Sequence, residues 1–297
     1  MSDSNLILEI NDARKVYGEK VVLEDIDLNV SSGEICTLVG PSGAGKTTLL
    51  RLILGQEIPS SGSLRIAGKP AGYPDTSRGI VYQRYGLYPN LTVLDNVVLG
   101  RRLTQSFLER RRNLAAIEAE GTRMLERVRL EQHGNKYPHE LSGGMQQRVA
   151  IAQSLLMKPP ILLMDEPFGA LDPDTREEMQ LFLLQLWEEE KMTIFFVTHD
   201  LEEAVFVGTR IIVLSQYYTD DRGAAASRGS RIVADHHLPE LASATTVKHD
   251  PEFMRLIESL RQDGFSPAHL QHVGEFNLKH PDSFQTLDTE VHGKGNR

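Results

Sequence analysis

Apolar residues fall along the chain in short blocks whose spacing switches between two periods. Leu6-Ile7-Leu8-Glu9-Ile10 opens a region, reaching to about Leu28, that reads as short strands with turns. Ile35-Cys36-Thr37-Leu38-Val39 is a near-continuous apolar run of the length of a fully buried strand. The run Thr48-Leu49-Leu50-Arg51-Leu52-Ile53-Leu54 reads as a helix, and Gly55 and Pro59 stand where it should stop. From about Leu91 to Met157 the pattern is helical and more polar; Arg110-Arg111-Arg112 and Glu118-Ala119-Glu120 mark a solvated face or a partner surface.

Strand and helix then alternate again. Ile161-Leu162-Leu163-Met164 is an apolar strand. Asp172 suits a helix N-cap with Pro173 in the first helical position, and that helix runs to about Glu190. Thr193-Ile194-Phe195-Phe196-Val197 is a second buried strand, and Asp200 with Glu203 resembles a capping box for the helix after it. This alternation predicts an α/β fold with a mostly parallel sheet covered on both faces. Two segments fit less well. Gln216 to Ser230, with Gly223-Ala224-Ala225-Ala226 and Gly229, reads as a long polar loop. From about Asp250 onward one amphipathic stretch, Phe253-Met254-Arg255-Leu256-Ile257, precedes a His-rich polar tail that reads as poorly ordered.

Composition narrows the classes. A chain of 297 residues accommodates one large domain or two small ones. The formal net charge of -9 opposes a general attraction to nucleic acid. Cys36 is the single cysteine, so no internal disulfide forms, which fits a reducing compartment. Met1-Ser2-Asp3-Ser4-Asn5 lacks the basic-then-apolar pattern of a secretory signal. No apolar run reaches the roughly 18 residues a membrane span needs, so action at a membrane requires another subunit.

Gly40-Pro41-Ser42-Gly43-Ala44-Gly45-Lys46-Thr47 fits G-x-x-x-x-G-K-[ST] in full and lies between an expected strand and an expected helix. Glycines let the backbone approach phosphate, and successive N–H groups at a helix N-terminus point at it. Lys46 then reaches β- and γ-phosphates, and the Thr47 hydroxyl suits Mg²⁺. The strand at Ile161 ends in Asp165-Glu166. Ligands of open α/β sheets sit at the carboxyl ends of strands, so both carboxylates face the crevice of the glycine loop. Asp165 is placed to hold Mg²⁺ through water and Glu166 to accept a proton from an attacking water. Because strand residues alternate faces, the two should do different work.

Leu141-Ser142-Gly143-Gly144-Met145-Gln146-Gln147-Arg148 is the discriminating element. Two glycines just after an N-cap serine cost near 1 kcal/mol each relative to alanine, which makes little sense for a merely structural helix and good sense if amides must touch a phosphate. The stretch resembles the signature motif of ABC (ATP-binding cassette) proteins, with Met145 where glutamine is common. Gln83 in Val81-Tyr82-Gln83 resembles that family's Q-loop, Ala170-Leu171-Asp172 its D-loop, His199 in Val197-Thr198-His199-Asp200 its switch histidine, and Tyr17 the aromatic that stacks on adenine. The resemblance covers roughly Leu6 to Leu214.

The resemblance implies a P-loop NTPase cassette with an antiparallel β edge region and an inserted helical subdomain. It places the nucleotide-binding domain at 1–245, its helical subdomain at about 84–158, and a partly helical C-terminal extension at 246–297. It implies ATP and Mg²⁺ as ligands. Nucleotide contacts fall to Tyr17, Gly40 to Thr48, Gln83, Ser142, Gly143, Gly144 and Asp172; metal contacts to Thr47, Gln83 and Asp165; hydrolysis to Lys46, Gln83, Glu166 and His199. Two cassettes, in a homodimer or paired with a second cassette, would sandwich two ATP molecules head to tail, with Ser142 and Gly144 of one copy completing the site of the other.

The stretches Leu141 to Pro173 and Phe196 to Val205 are most similar to ATPase subunits of bacterial nitrate/sulfonate/taurine-type importers. That implies a separate transmembrane permease, an extracytoplasmic solute-binding protein reached indirectly, and a place on the cytoplasmic face of the inner membrane. Tyr85, Leu87 and Tyr88 are then either permease contacts or core residues. The 216–230 loop and the tail depart from the importer pattern. Alternative readings are an exporter ATPase and a soluble ABC ATPase of DNA repair, chromosome structure or translation; a single P-loop, no long heptad array and an acidic composition speak against the soluble ones. His236-His237 and His269-Leu270-Gln271-His272 raise metal binding as a further alternative, against the plainer reading of surface histidines.

Overall fold

The apolar blocks of the sequence become the centre of one sheet. The structure, a computed structural model, describes residues 6–223, 228–238, 248 and 251–283. β3 (Ile35–Val39), β6 (Arg78–Tyr82), β7 (Ile161–Asp165), β8 (Thr193–Val197) and β9 (Arg210–Ser215) run parallel to one another in the order β9-β3-β8-β7-β6. Every residue of β3, β8 and β9 is buried, as expected of strands covered on both faces.

Side chains of these strands part alternately into two cores. Leu162, Met164, Ile194 and Phe196 join the core that packs α4 (Gly143–Leu155), α5 (Pro173–Glu190) and α6 (Leu201–Val207). Leu163, Phe195, Val197, Cys36 and Leu38 join the core beneath α1 (Lys46–Leu54) and a separate antiparallel sheet. That second sheet holds β1 (Leu6–Tyr17), β2 (Lys20–Ser31), β4 (Ser61–Ile66) and β5 (Lys69–Pro70) in the order β2-β1-β4-β5.

The opening region, expected as short strands with turns, is instead two strands of 12 residues each. Register shifts, among them one between Ile10 and Ala13, absorb the breaks in alternation that read as turns. Asp12 takes a positive φ of 48° there, and its N–H donates to Asp27 Oδ1 at 2.8 Å, so one unpaired residue leaves the ladder without ending it.

The polar helical region holds α2 (Val93–Leu103), α3 (Phe107–Arg127) and α4. Ser106 and Glu109 form a reciprocal capping box at the start of α3. Val93, Val97, Val98, Ile117, Leu125 and Val128 close the interior of this region.

The C-terminal part departs most from expectation. The segment read as a loop contains β10 (Tyr218–Thr219), and β11 (Arg231–His237) follows, antiparallel to β9. After α7 (Pro251–Gly264), β12 (Gln271–His272) pairs with β10, and β13 (Asn277–Leu278) pairs with β11 as the edge of the main sheet. Through Ser283 the polar tail is therefore sheet and turn, and the sequence boundary at 245/246 is crossed by strand pairing. Ala224, Ala225, Ala226, Asp250 and the residues after Ser283 lie outside the described residues.

Charged residues around this edge are paired. Arg222 holds Glu24 at 2.8 Å, and Arg228 holds Asp220 at 3.0 Å. The fully buried Arg210 donates to Asp235 at 2.9 and 2.7 Å, to Asn29 O at 2.6 Å and to Glu34 at 3.2 Å, which ties β9, β11, β2 and the start of β3 together.

Candidate functional site

The glycine loop leaves β3 at Val39 and enters α1 at Lys46. A Cβ on Gly40 would overlap the carbonyl oxygen of Leu214, and Gly45, at φ 82°, would press one to 2.8 Å from Leu23 Cδ2. Gly45 is the N-cap of α1 and supplies no side-chain cap, so the first amides of the helix are left for another acceptor. Lys46 Nζ folds back onto the loop and donates to Gly40 O at 2.6 Å and Pro41 O at 3.1 Å. Burial pushes the Lys46 pKa down, while Glu166 and Asp165 pull it back up. Ser42, Gly43 and Thr47 are exposed along the rim, and Ala44 is buried beneath it.

The acidic pair stands at the end of β7. Asp165 continues the alternation of Ile161 and Leu163 toward the α1 side. Burial raises its pKa first, the neighbouring Glu166 raises it further, and Arg51 and Lys46 of α1 oppose both. Glu166 has a positive φ of 46°, rare for a residue with a side chain, and its N–H donates to Val197 O at 2.9 Å. This turn takes Glu166 off the strand, and its Oε1 lies 3.2 Å from Nδ1 of His199.

Gln83 follows Tyr82, which pairs with Asp165 across β6 and β7. Its Nε2 lies 3.3 Å from where a Cβ on Gly169 would stand, so Gly169 leaves room for the amide beside the acidic turn. Lys46, Gln83, Asp165, Glu166 and His199 thus meet at the carboxyl end of the parallel strands, over the loop that opens α1. Tyr17, at the end of β1, is exposed; its hydroxyl donates to Glu57 and interacts with Thr48, and Lys15 Nζ lies 5.0 Å from its ring centroid.

Ser142, Gly143 and Gly144 are placed differently. Ser142 Oγ accepts from Met145 N at 3.3 Å and caps α4. A Cβ on Gly144 would come 2.6 Å from Thr175 Cγ2, and one on Gly143 would come 3.0 Å from Tyr85 Oη and 3.2 Å from Leu171 Cδ2. The glycines therefore have a structural use within the chain, contrary to the expectation that a merely structural helix has none. Asp172 caps α5 by accepting from Thr175 N at 3.1 Å.

The capping box expected at α6 forms by half. Asp200 Oδ1 accepts from Glu202 N at 2.9 Å and Glu203 N at 3.2 Å. Glu203 does not reach back, because Asp200 N donates to Thr198 Oγ1 at 3.1 Å. Glu203 turns inward instead, to Thr198 and Gln180. Sequence reading missed these partners because a glutamate at the third helical position is fully accounted for as a cap.

Of the three residues after Gln83 weighed as partner contacts, Tyr85 and Leu87 pack partly against the core. Tyr88 is 55% exposed and lines an apolar groove with Pro89, Leu91, Leu99 and Leu103. The histidines weighed as metal ligands stand apart from the glycine loop. His236 Nε2 lies 3.7 Å from Asp263, His237 packs edge-on against His280, His272 lies 3.5 Å from Asp221, and His269 is exposed. Among the described residues, Glu34, His280 and Asp282 bring ligand atoms within 4.8 Å of one another, but the Arg210 guanidinium 3.2 Å from Glu34 opposes a cation there.

With this geometry in hand, a family profile of ABC transporters matches residues 23–169. The chain is 48% identical over 212 residues to a sulfate/thiosulfate import ATP-binding protein of Photorhabdus laumondii, covering 70% of this chain and 58% of that protein. It is 42% identical over 250 residues to a taurine import ATP-binding protein of Chromobacterium violaceum, covering 82% of this chain and 89% of that one. The chain thus spans under two thirds of that sulfate relative and most of that taurine one. Among solved structures, a dimeric ATP-binding cassette bound to ADP and Pi in a post-hydrolysis state superposes with a TM-score of 0.61 at 31% identity, covering 79% of this chain and 100% of that one. cbiO1 of Clostridium perfringens, part of the ABC transporter complex cbiONQ, superposes with a TM-score of 0.67 at 26% identity, covering 86% of this chain and 99% of that one.

Proposed function

Because the chain belongs to the ABC transporter family, we propose that it is the ATP-binding and ATP-hydrolysing subunit of a bacterial import system. It closes as a dimer around two ATP molecules and drives a separate transmembrane permease at the cytoplasmic face of the inner membrane. The observation that carries this reading is the convergence of Lys46, Gln83, Asp165, Glu166 and His199 over an uncapped helix N-terminus. The import ATP-binding proteins among its relatives favour import over export.

In this reading the amides from Gly40 to Thr48 and the Lys46 ammonium take up the phosphates. Lys46 exchanges its two loop carbonyls for phosphate oxygens, so the carbonyls hold its charge in place between turnovers. Tyr17 offers an exposed ring to the adenine. A divalent cation fits the acidic turn: Asp165 carries a raised pKa beside Glu166, and the Thr47 hydroxyl is exposed in the first turn of α1. Asp165, Thr47 and Gln83 would hold Mg²⁺, which would offset phosphate charge when bound. Glu166 takes the proton of the attacking water, and His199, which touches Glu166, fixes the γ-phosphate. Ser142, Gly143, Gly144 and Asp172 face the second copy, or a second cassette, and complete its site.

The domain reading is a nucleotide-binding domain over 1–245, a helical subdomain over 84–158 and an extension over 246–297 that joins the sheet through β13. The groove at Tyr88 receives the permease; an extracytoplasmic solute-binding protein acts only through that permease, and nucleic acid is not a partner.

Glu166→Gln tests the reading. It should bind ATP with near-normal affinity, lose turnover by about a hundredfold or more, and accumulate as an ATP-bound dimer in size-exclusion chromatography. Turnover at the parent rate overturns the assignment.

A further inference from the structure

Among the buried carboxylates that the proposed chemistry leaves unused, Glu203 is the one bonded to a neighbour of His199. Glu203 is 5% exposed. Thr198 Oγ1 donates to its Oε2 at 2.5 Å, and Gln180 Nε2 donates to its Oε1 at 3.1 Å. Thr198 Oγ1 in turn accepts the N–H of Asp200 at 3.1 Å. His199 therefore stands between two residues, Thr198 and Asp200, that are joined to each other and to Glu203. On the far side, Gln180 Oε1 accepts from Lys248 Nζ at 3.3 Å, and the same ammonium lies 3.8 Å from Glu177 and 4.6 Å from the Phe206 ring centroid.

Every bond in this chain runs in one direction, from the lysine ammonium through the Gln180 amide to a carboxylate that accepts at both oxygens. An acid accepts from both sides at once, whereas a glutamine at 203 could accept from Gln180 only by turning its NH₂ to the Thr198 hydroxyl, which would then accept and lose its own bond to residue 203. The helix does not need Glu203 as a cap, since Asp200 already accepts from Glu202 N and Glu203 N. Burial pushes the Glu203 pKa up, and the bonds from Thr198 and Gln180 draw it back. A buried acid retained at such a cost, next to a reacting group and outside the cap, calls for a use.

We propose that Glu203 is a positioning residue for His199: it fixes Thr198, and with it the Thr198–Asp200 backbone that sets His199 3.2 Å from Glu166. Lys248 of the C-terminal extension braces this lock through Gln180. The inference rests on the reading of His199 as the γ-phosphate contact.

The test is a double-mutant cycle on the full chain, reading kcat and KM for ATP and, separately, the affinity for a fluorescent ATP analogue. Glu203→Gln should lower kcat by about tenfold to a hundredfold with nucleotide affinity unchanged. Thr198→Val, which removes the hydroxyl and keeps the shape, should reproduce the loss. Lys248→Met should cost about threefold. In a His199→Ala background none of these should lower kcat further. The imidazole NMR resonances of His199 with nucleotide bound should move in Glu203→Gln and Thr198→Val, a change that stability alone does not produce.

Equal losses in both backgrounds, or unmoved His199 resonances, overturn the positioning role. Full turnover by His199→Ala overturns instead the reading of the site on which the inference rests, so the two failures are separable. Glu203→Gln and Thr198→Val serve each other as folding controls, each checked by its melting temperature.

Discussion

Two helices begin in glycines, and they do so for different reasons. At α1 the backbone demands them: Gly45 holds a left-handed φ of 82°, and a side chain on Gly40 would collide with Leu214. No side chain caps that helix. At α4 the demand comes from neighbours, since Gly144 lies under Thr175, and the Ser142 hydroxyl occupies the cap. The first start gathers Lys46, Asp165 and Glu166 of the same chain around itself. The second presents an exposed serine and two glycines, and the groups nearest those glycines, Tyr85, Leu171 and Thr175, bring no charge to bind a nucleotide. In the proposed reading the first helix start receives the nucleotide, and the second completes the site of a second copy.

The largest expected break in this comparison falls on the first helix. Lys46→Ala should lose ATP affinity by about a hundredfold or more, measured by equilibrium binding of a fluorescent analogue; retained affinity would remove the phosphate role from the loop. The second helix should respond through packing. Gly144→Ala presses a methyl into Thr175 and should cost about 1–3 kcal/mol of stability, read from the denaturation midpoint. Pairing it with Thr175→Ser should restore stability. Turnover should stay low in that pair if the added methyl also crowds the partner's nucleotide, and return fully if the glycine serves packing alone.

Ser142→Ala sharpens the same point. Loss of the cap should cost about 1 kcal/mol, small against its effect on turnover if Ser142 serves the second copy. Mixed dimers of Ser142→Ala with Glu166→Gln then separate the sites: pairing both lesions at one site leaves the other intact, with about half the activity of that site pair recovered.

The smallest effect concerns pH. The folded-state pKa of Asp165 is raised by burial and by Glu166, so ionising it opposes folding. That penalty is complete above the folded pKa and vanishes as pH falls below the unfolded value. Asp165→Asn should therefore raise the melting temperature of nucleotide-free protein at neutral pH, with the gain fading on acidification through the carboxylate range. A gain that persists in acid would assign the stabilisation to some other cause.

Much of the site was legible from local pattern because its parts are local. A strand, a glycine loop and a helix start are contiguous in sequence, and Gly40 to Thr47 must be spelled in order for the backbone to cradle phosphate. Asp165 and Glu166 were legible for the same reason, standing at the end of an apolar strand in a parallel sheet. What sequence alone determined was thus the class of fold, the alternation of its central strands and the grouping of candidate site residues within single turns.

Tertiary structure decided the rest, wherever the partner lies far along the chain. The bulges that make one long strand of β1 depend on pairing with β2 and β4. Arg222 and Glu24, 198 positions apart, turn a polar loop into a packed edge. Gln271–His272 and Asn277–Leu278 become strands because β10 and β11 offer unpaired edges. Glu203 shows the principle most sharply: its sequence position is that of a surface cap, and only the approach of Thr198, Gln180 and Lys248 makes it a buried acceptor. A hydrogen bond between distant residues leaves no periodic trace in a sequence, because its geometry exists only once the layers have packed.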